Sequence, residues 1–252
     1  MPVYFIHSKQ VDRGKIILRD RLAHHLRDVL RLQKGETLLL VDERPKRYTA
    51  RLVESQPAQL TLEVLQEESP PSFPLPALHL GIGLLKGEKF EWVLQKATEL
   101  GTARITPLVT ERAVIRPKAD RVAHQQERWN KIVLEAAQQS GRWTLPILDP
   151  PAELLAFLTR TSGYGVKLIF WEGIPSESPR HEIVKAIASA PPQGAVLIGP
   201  EGGWEKTEVD AARAMGYQAL SLGPRILRAE TAAVAALAVV QYEIEGRGHG
   251  DH

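Results

Sequence analysis

Two patterns of hydrophobic and polar positions divide this chain. Up to about residue 66, short apolar runs of strand type follow one another, interrupted only between Arg19 and Leu32. There the apolar positions Leu22, Leu26, Val29 and Leu30 have helical spacing. From residue 77 onward, strand-like runs alternate with helical patterns. The first pattern predicts a small β-barrel with one helix, and the second predicts an α/β domain with a parallel sheet. The strand candidates are VYFIH, KIILR, TLLLVD, RYTARLVE and QLTLEVLQ, then ALHLGIGL, RITPLV, KLIFWEG, AVLIGPEGG and YQALSLG.

A proline-rich segment separates the two patterns. The sequence EESPPSFPLP, from Glu67 to Pro76, contains four prolines. Proline removes a backbone donor and favours extended backbone, so this segment is expected to be a stiff connector. We therefore predict two domains, formed by residues 1–72 and 73–252.

The last predicted helix, Glu230 to Glu245, differs from the others. Its sequence AETAAVAALAVVQY is small and apolar on nearly all sides, whereas a helix packed only on its own sheet needs one apolar face. Two apolar faces indicate either deep burial or a subunit interface. We favour the interface.

Composition limits the classes of protein to consider. With 43% hydrophobic and 25% charged residues, the chain of 252 residues is expected to be a soluble globular protein. The absence of cysteine excludes disulfides, thiolate catalysis and cysteine-bound metal, and favours a cytoplasmic location. No signal peptide is visible at the start, and the longest apolar stretch, Ala232 to Val240, is too short to span a membrane.

Positive charge is concentrated near the N-terminus. The segment from Met1 to Arg51 has twelve Lys and Arg residues against six Asp and Glu, although the net charge of the whole chain is only +2. A second basic stretch runs from Arg112 to Lys131. Local basicity of this kind favours binding to a polyanion, and an ordinary solvated surface is the alternative.

Two late strand candidates end in glycine loops. LIGPEGGWEKTE, Leu197 to Glu208, places three glycines directly after an apolar run, and SLGPRILRAET, Ser221 to Thr231, repeats the arrangement with two arginines. Such loops meet at one edge of a parallel sheet, where IFWEG, Ile169 to Gly173, can join them. Neither phosphate-binding fingerprint, GxGxxG or GxxxxGK[ST], is present. The loops therefore predict a pocket that holds a ligand other than an ordinary nucleotide, mostly by main-chain contacts.

These two loops, together with KGEKFEWVLQKATELGTARITPLVTERAV and RWNKIVLEAAQQSGRWTLPIL, resemble the RsmE family of SPOUT methyltransferases. The resemblance covers nearly the whole chain. It implies a C-terminal SPOUT domain with a trefoil knot, an N-terminal PUA-like RNA-binding barrel, and a homodimer with the active site at its interface. It further implies S-adenosylmethionine-dependent methylation of N3 of a uridine in 16S rRNA of the small ribosomal subunit, without metal or membrane. Trp204, Pro224 and the tail GRGHGDH depart from the family pattern.

The resemblance also assigns residues. The cofactor loops correspond to Glu172, Ile198, Gly199, Glu201, Gly202, Gly203, Leu222, Gly223, Ile226 and Leu227. Uridine N3 must lose a proton, and negative charge develops on the neighbouring carbonyl oxygens, so a fixed cation is needed. We expect Arg228 to supply that cation and Glu230 to accept the proton, with Glu201 as the alternative base. Holding an arginine or capping a helix is the alternative role of each glutamate. Four arginines are candidates for binding the RNA substrate: Arg112, Arg142, Arg27 and Arg31. For Arg112 and Arg142, a solvated salt bridge is the alternative.

Two other functions stay open at this stage. A SPOUT enzyme that methylates the ribose 2′-oxygen would have the same fold and cofactor, although the sequence ILRAETA argues against it. A non-catalytic RNA-binding protein with a degenerate knot is the other possibility, and the intact glycines and Arg228 argue against that.

Overall fold

The computed structural model describes residues 2–19, 21–70, 77–116, 119–174, 179–187 and 193–247. The chain forms two compact units, one of Met1–Ser72 with Ala137–Leu145, the other of Phe73–Ala136 with Pro146–His252. The segment Ala137–Leu145, which the sequence pattern placed in the second domain, thus belongs to the first unit. Most of the proline-rich segment and of the C-terminal tail lies outside the described residues.

The first unit is built on a six-stranded sheet. Its strands are β1 (Val3–Phe5), β2 (Val11–Asp12), β3 (Lys15–Leu18), β4 (Thr37–Val41), β5 (Arg47–Gln56) and β6 (Gln59–Glu68). They hydrogen-bond in the order β1-β4-β5-β6-β3-β2, and only the pair β1–β4 is parallel. Leu38 and Leu40 on β4 are buried together with Leu60 and Leu62 on β6, as the two-residue period of a strand with one core-facing side requires. The predicted β-rich N-terminal unit is confirmed.

The helical stretch predicted in this unit is short and irregular. It consists of α1 (Arg21–His24) followed by a π-helical turn (His25–Val29), which the hydrogen bond from Leu30 N–H to His25 O closes at 3.0 Å. Leu26 is buried, but Val29 and Leu30, which the helical spacing placed on the same apolar face, are exposed. The π turn shifts these two residues away from the face that Leu26 occupies.

The second unit contains a parallel sheet and the remaining helices. Its strands are β7 (Ala77–Gly83), β8 (Arg104–Val109), β9 (Ile147–Leu148), β10 (Ala152–Glu153), β11 (Val166–Phe170), β12 (Gln193–Ile198) and β13 (Gln218–Leu220). Its helices are α2 (Glu88–Glu99), α3 (Ala119–Gln139), α4 (Leu154–Arg160), α5 (Pro179–Ile187), α6 (Lys206–Ala214) and α7 (Ala229–Arg247). The last three residues of α3 belong to the first unit. The strand order is β10-β8-β7-β12-β11-β13, with β9 also paired to β8, and every pair is parallel. The predicted α/β domain with a parallel sheet is confirmed, and the trefoil knot stays a prediction.

Alternation along the central strands gives the sheet two buried faces. Val196 and Ile198 on β12 pack in a core with residues of α2, α3, α5 and α7, whereas Ala195 and Leu197 pack in a second core with residues of α4 and α6. Helices therefore cover both faces, which explains why the strands of this unit are apolar at consecutive positions.

Candidate active site

A cavity of about 650 Å³ opens at the carboxyl ends of three adjacent strands, β12, β11 and β13. The loops that follow these strands form most of its wall, and the first turns of α2 and α7 complete it. The wall residues are Lys89, Phe170, Trp171, Glu172, Gly173, Ile174, Ile198, Gly199, Pro200, Glu201, Gly203, Trp204, Ser221, Leu222, Gly223, Pro224, Arg225, Ile226, Leu227, Arg228, Ala229, Glu230 and Ala232. The carboxyl edge of a parallel sheet is the usual place for a ligand in folds of this class.

The loop after β12 is fixed by close packing. A Cβ atom on Gly83, at the end of β7, would lie 2.5 Å from Pro200 N, so only glycine lets the loop cross this strand. Trp204 is buried and donates a hydrogen bond of 3.1 Å from Nε1 to the carbonyl oxygen of Phe170. Gly203 has φ +72°, a conformation that glycine adopts without strain. Packing thus holds the loop in place, and Gly199 and Gly203 present backbone without side chains to the cavity.

The loop after β13 begins with a turn that the Ser221 side chain closes. Ser221 Oγ accepts a hydrogen bond from Gly223 N–H at 3.2 Å and donates one to Gly223 O at 3.1 Å. Further along the loop, Arg225, Ile226 and Arg228 are exposed. The Ile226 side chain is 85% exposed, so this residue contributes to the rim of the cavity.

A small group of charged side chains lies where α2 and α7 meet the cavity. Lys89 Nζ is 3.6 Å from Glu230 Oε1 and 3.9 Å from Glu201 Oε1. Glu201 Oε1 also accepts a hydrogen bond of 3.0 Å from Lys86 N–H. Glu230 Oε2 is buried and has no hydrogen-bond partner among the described residues. Glu230 therefore has one carboxylate oxygen near a cation and one that no described residue contacts by a hydrogen bond.

The structure brings together eleven of the twelve residues predicted for catalysis and cofactor binding, since all of them except Gly202 line this cavity. Gly202 faces away, and a Cβ atom there would lie 3.0 Å from both Cβ and O of Arg112. Sequence reasoning missed Lys89. The signal that could have found it is the sequence KGEKF, which follows the strand candidate ALHLGIGL after one more leucine and marks a fourth strand end on the same edge.

Arg112, a candidate for substrate binding, is engaged within its own unit. Its Nε donates to Glu205 Oε1 at 2.6 Å, and its Nη1 donates to Gly202 O at 3.2 Å. The hydrogen bond to Glu205 and the nearby charge of Glu172 and Glu208 raise the pKa of Arg112. These contacts tie the segment after β8 to the loop after β12, and a substrate contact by Arg112 stays a prediction.

The other three candidate arginines lie in the first unit. Arg27 donates to Asp28 at 2.6 and 2.8 Å and to the carbonyl oxygens of Gln56 and Pro57. Arg142 donates to Thr144 O at 3.1 Å, and burial lowers its pKa to about 10, so it is still charged at neutral pH. Arg31 is exposed and has φ +53°, an uncommon backbone conformation for a residue with a side chain. Of these three, Arg31 is the one that the structure leaves exposed for a polyanion.

The cavity fits an adenosyl cofactor. Its volume is in the range of small-molecule sites, and its wall combines apolar side chains such as Ile198 and Leu222 with glycine backbone.

No described group of three or more histidine, aspartate and glutamate side chains could hold a metal ion. Within the described part of the chain, no helix has the length and apolar character needed to cross a bilayer.

Comparison with known proteins gives a consistent result over nearly the whole chain. Residues 71–241 match the RNA methyltransferase domain family, and residues 18–65 match the RNA methyltransferase PUA domain family. The ribosomal RNA small subunit methyltransferase E of Synechocystis sp. is 36% identical over 242 residues, which are 95% of this chain and 77% of that protein. The protein of the same name from Bacillus subtilis is 31% identical, and the match covers 97% of this chain and 98% of the relative.

A solved structure agrees with these relatives. The crystal structure of a ribosomal RNA small subunit methyltransferase E from Neisseria gonorrhoeae, bound to S-adenosylmethionine, is similar to this chain with a TM-score of 0.80. The two sequences are 32% identical, and the match covers 96% of this chain and 97% of the other.

Proposed function

The chain belongs to the RNA methyltransferase family, and we propose that it uses S-adenosylmethionine to methylate N3 of a uridine in small-subunit ribosomal RNA. It is an S-adenosylmethionine-dependent ribosomal RNA methyltransferase, like the relatives that it matches along almost their full length. The observation that carries the proposal is the cavity at the ends of β11, β12 and β13, whose wall contains the glycine loops, Arg228 and Glu230 together.

The cofactor site is assigned to the loops after these three strands. The backbone of Gly199, Gly203 and Gly223 would hold the cofactor, because glycine has no side chain to keep a ligand away from its peptide groups. When bound, S-adenosylmethionine supplies a methyl group on a sulfonium sulfur, a good leaving group that needs neither a metal nor a covalent intermediate. The task of the protein is therefore to position the uridine and to remove its proton.

Two side chains are assigned to that task. Glu230 accepts the N3 proton, since its Oε2 is buried at the cavity and has no partner among the described residues. Glu201 is less suited to act as the base because its Oε1 already accepts the hydrogen bond from Lys86 N–H. Arg228 places a positive charge at the rim, where negative charge on a uridine carbonyl oxygen would develop.

The first unit is proposed to bind the RNA. Arg31 and Lys34 are exposed in the segment after the π-helical turn, and contacts between such cations and phosphates give affinity with little sequence information. A protein that modifies ribosomal RNA acts where ribosomal subunits are made, so we assign it to the cytoplasm.

The proposed reaction is tested on ribosomal RNA from a strain that lacks the gene. Mass spectrometry of nucleosides from its small-subunit RNA should show the loss of one N3-methyluridine, and purified protein with S-adenosylmethionine should restore it in vitro. Restoration of a 2′-O-methylated nucleoside instead would favour the ribose methyltransferase. Normal methylation in the deletion strain, with no activity in vitro, would favour the non-catalytic RNA-binding protein.

We also propose that the protein is a homodimer that pairs through α7. One stripe of this helix, including Ala233, Ala236 and Val240, is buried in the core of its own unit. A second stripe of small and apolar residues remains uncovered, in which Val239 is 36% and Tyr242 is 74% exposed. A second copy of the chain could cover it, as isologous interfaces do.

Val239→Glu should convert the dimer to monomer, because the carboxylate would be buried between two copies without a partner. Light scattering during size-exclusion chromatography measures the mass directly. Leu155→Glu, at an exposed leucine of α4, is the control and should not change the mass. Ala236 is fully buried in its own chain, so a charge there would test folding instead of assembly. A dimeric Val239→Glu variant would exclude this interface.

A further inference from the structure

Lys89 sits at the cavity because of the order of the strands. The segment after β7 reaches the same sheet edge as the loop after β12, since these two strands are adjacent in the sheet. Lys89 lies in the first turn of α2, and its ammonium group is within 4 Å of a carboxylate on the loop after β12 and of another on α7. One cation thus joins three elements of the active-site wall.

The two carboxylates differ in how they are held. Glu201 has a second contact, because its Oε1 accepts the hydrogen bond from Lys86 N–H. For Glu230, Lys89 is the one ion-pair partner among the described residues, and no hydrogen bond from these residues reaches Oε2. The Glu230 side chain is only 15% exposed. Its orientation therefore depends on Lys89 more than the orientation of Glu201 does.

An ionised carboxylate with little access to water needs a nearby positive charge or hydrogen-bond donors. Lys89 Nζ is 3.6 Å from Glu230 Oε1, which is an ion-pair distance that leaves Oε2 available to another group. Without Lys89, the two carboxylates at this edge would repel each other, and Glu230 would be free to turn towards solvent. Loss of the ammonium group should therefore change the position of the carboxylate that faces the cavity.

We propose that Lys89 is a positioning residue for the methyl transfer and acts through Glu230. The inference rests on the function proposed above. Lys89 holds Oε1, and Oε2 takes the proton from uridine N3 as N3 forms its bond to the methyl carbon and the bond from that carbon to sulfur breaks. The proton then resides on Glu230 and leaves to water after product release.

A double-mutant cycle tests the coupling between the two side chains. Lys89→Met, Lys89→Gln, Glu230→Gln and the combined variants are compared in single-turnover assays on small ribosomal subunits with saturating S-adenosylmethionine. The Lys89 variants should lower the methyl-transfer rate by about tenfold in the wild-type background, as expected for partial loss of a general base. In the Glu230→Gln background the same changes should have almost no further effect. Lys89→Arg should recover part of the rate.

The controls separate positioning from structure. Lys96→Met removes another α2 lysine, which pairs with Glu99 outside the cavity, and should leave the rate unchanged. Cofactor affinity and melting temperature should be similar in Lys89→Gln and wild type. An unchanged rate in both Lys89 variants would overturn the inference, and so would an equal loss in both backgrounds, because Lys89 would then act directly on a ligand. If the wild type methylates a different nucleotide, the assigned target is wrong. The methyl-transfer rates of the double-mutant cycle are then measured at that nucleotide.

Discussion

Replacing Gly203 with alanine is expected to weaken S-adenosylmethionine binding by more than about tenfold while the chain stays folded. Gly203 has φ +72°, where a side chain raises the energy of the backbone by about 1–2 kcal/mol. An added Cβ would also overlap Glu172 Oε1, so the Glu172 side chain would have to move. Because Gly203 and Glu172 both line the cavity, the substitution changes its wall at two places.

The neighbouring glycine provides the matched control for this experiment. Gly202→Ala adds the same methyl group one residue earlier, but there the new Cβ meets Arg112 and not the cavity. We expect this variant to lose some thermal stability and to keep most of its cofactor affinity. Calorimetric titration gives the affinities, and thermal unfolding shows that both variants are folded. If Gly203→Ala binds S-adenosylmethionine as tightly as wild type does, the site lies elsewhere.

The location of the cofactor loops could be predicted because their signal is local. An apolar run with glycine and proline directly after it indicates the end of a buried strand, and the carboxyl ends of parallel strands share one edge. Two such runs, ending at Ile198 and Leu220, were enough to predict the cavity. The resemblance to the family then assigned twelve individual residues to catalysis and cofactor binding, and eleven of these residues line the cavity.

The direction in which a loop residue faces could not be predicted in the same way. Gly202 differs from Gly199 and Gly203 in the direction that its backbone faces. It faces Arg112, which donates a hydrogen bond to its carbonyl oxygen and lies about 90 positions earlier in the chain. The ion pair between Arg112 and Glu205 is equally remote in sequence. Long-range contacts of this kind leave no periodic pattern in the sequence. The sequence alone therefore does not show which residue pairs with a given charged side chain.

Lys89 was missed for a related reason. The sheet order places β7 next to β12, although four strands and four helices lie between these two strands along the chain. Adjacent strands in a parallel sheet need not be consecutive in sequence, so the sequence places the segment after β7 at the carboxyl edge but does not show that it lies beside the loop after β12. For helix α7, in contrast, the sequence did predict two apolar faces, because the residues of this helix are small and apolar on nearly all sides. Only the structure separates the face buried in its own unit from the exposed one.

Arg228→Ala is expected to lower the methyl-transfer rate by about 10²-fold or more, with little change in the affinity for cofactor or RNA. Arg228 lies at the rim of the cavity, and its exposed guanidinium has no ion pair or hydrogen bond with the described residues. A charge without a partner in the described part of the chain is available to a substrate. Its contribution should be largest in the transition state, when the uridine carbonyl oxygens are most negative.

Arg225 is the control for this prediction, because it belongs to the same loop, is also exposed and lines the same cavity. If Arg225 binds a phosphate, Arg225→Ala should weaken RNA binding and reduce its dependence on salt, while the rate at saturating RNA stays near that of wild type. Single-turnover rates and filter-binding affinities at two salt concentrations, measured on small ribosomal subunits, distinguish the two arginines. Should Arg228→Ala lose RNA affinity and keep its rate at saturation, then Arg228 binds the RNA backbone, and the positive charge for the transition state must come from another residue of the site.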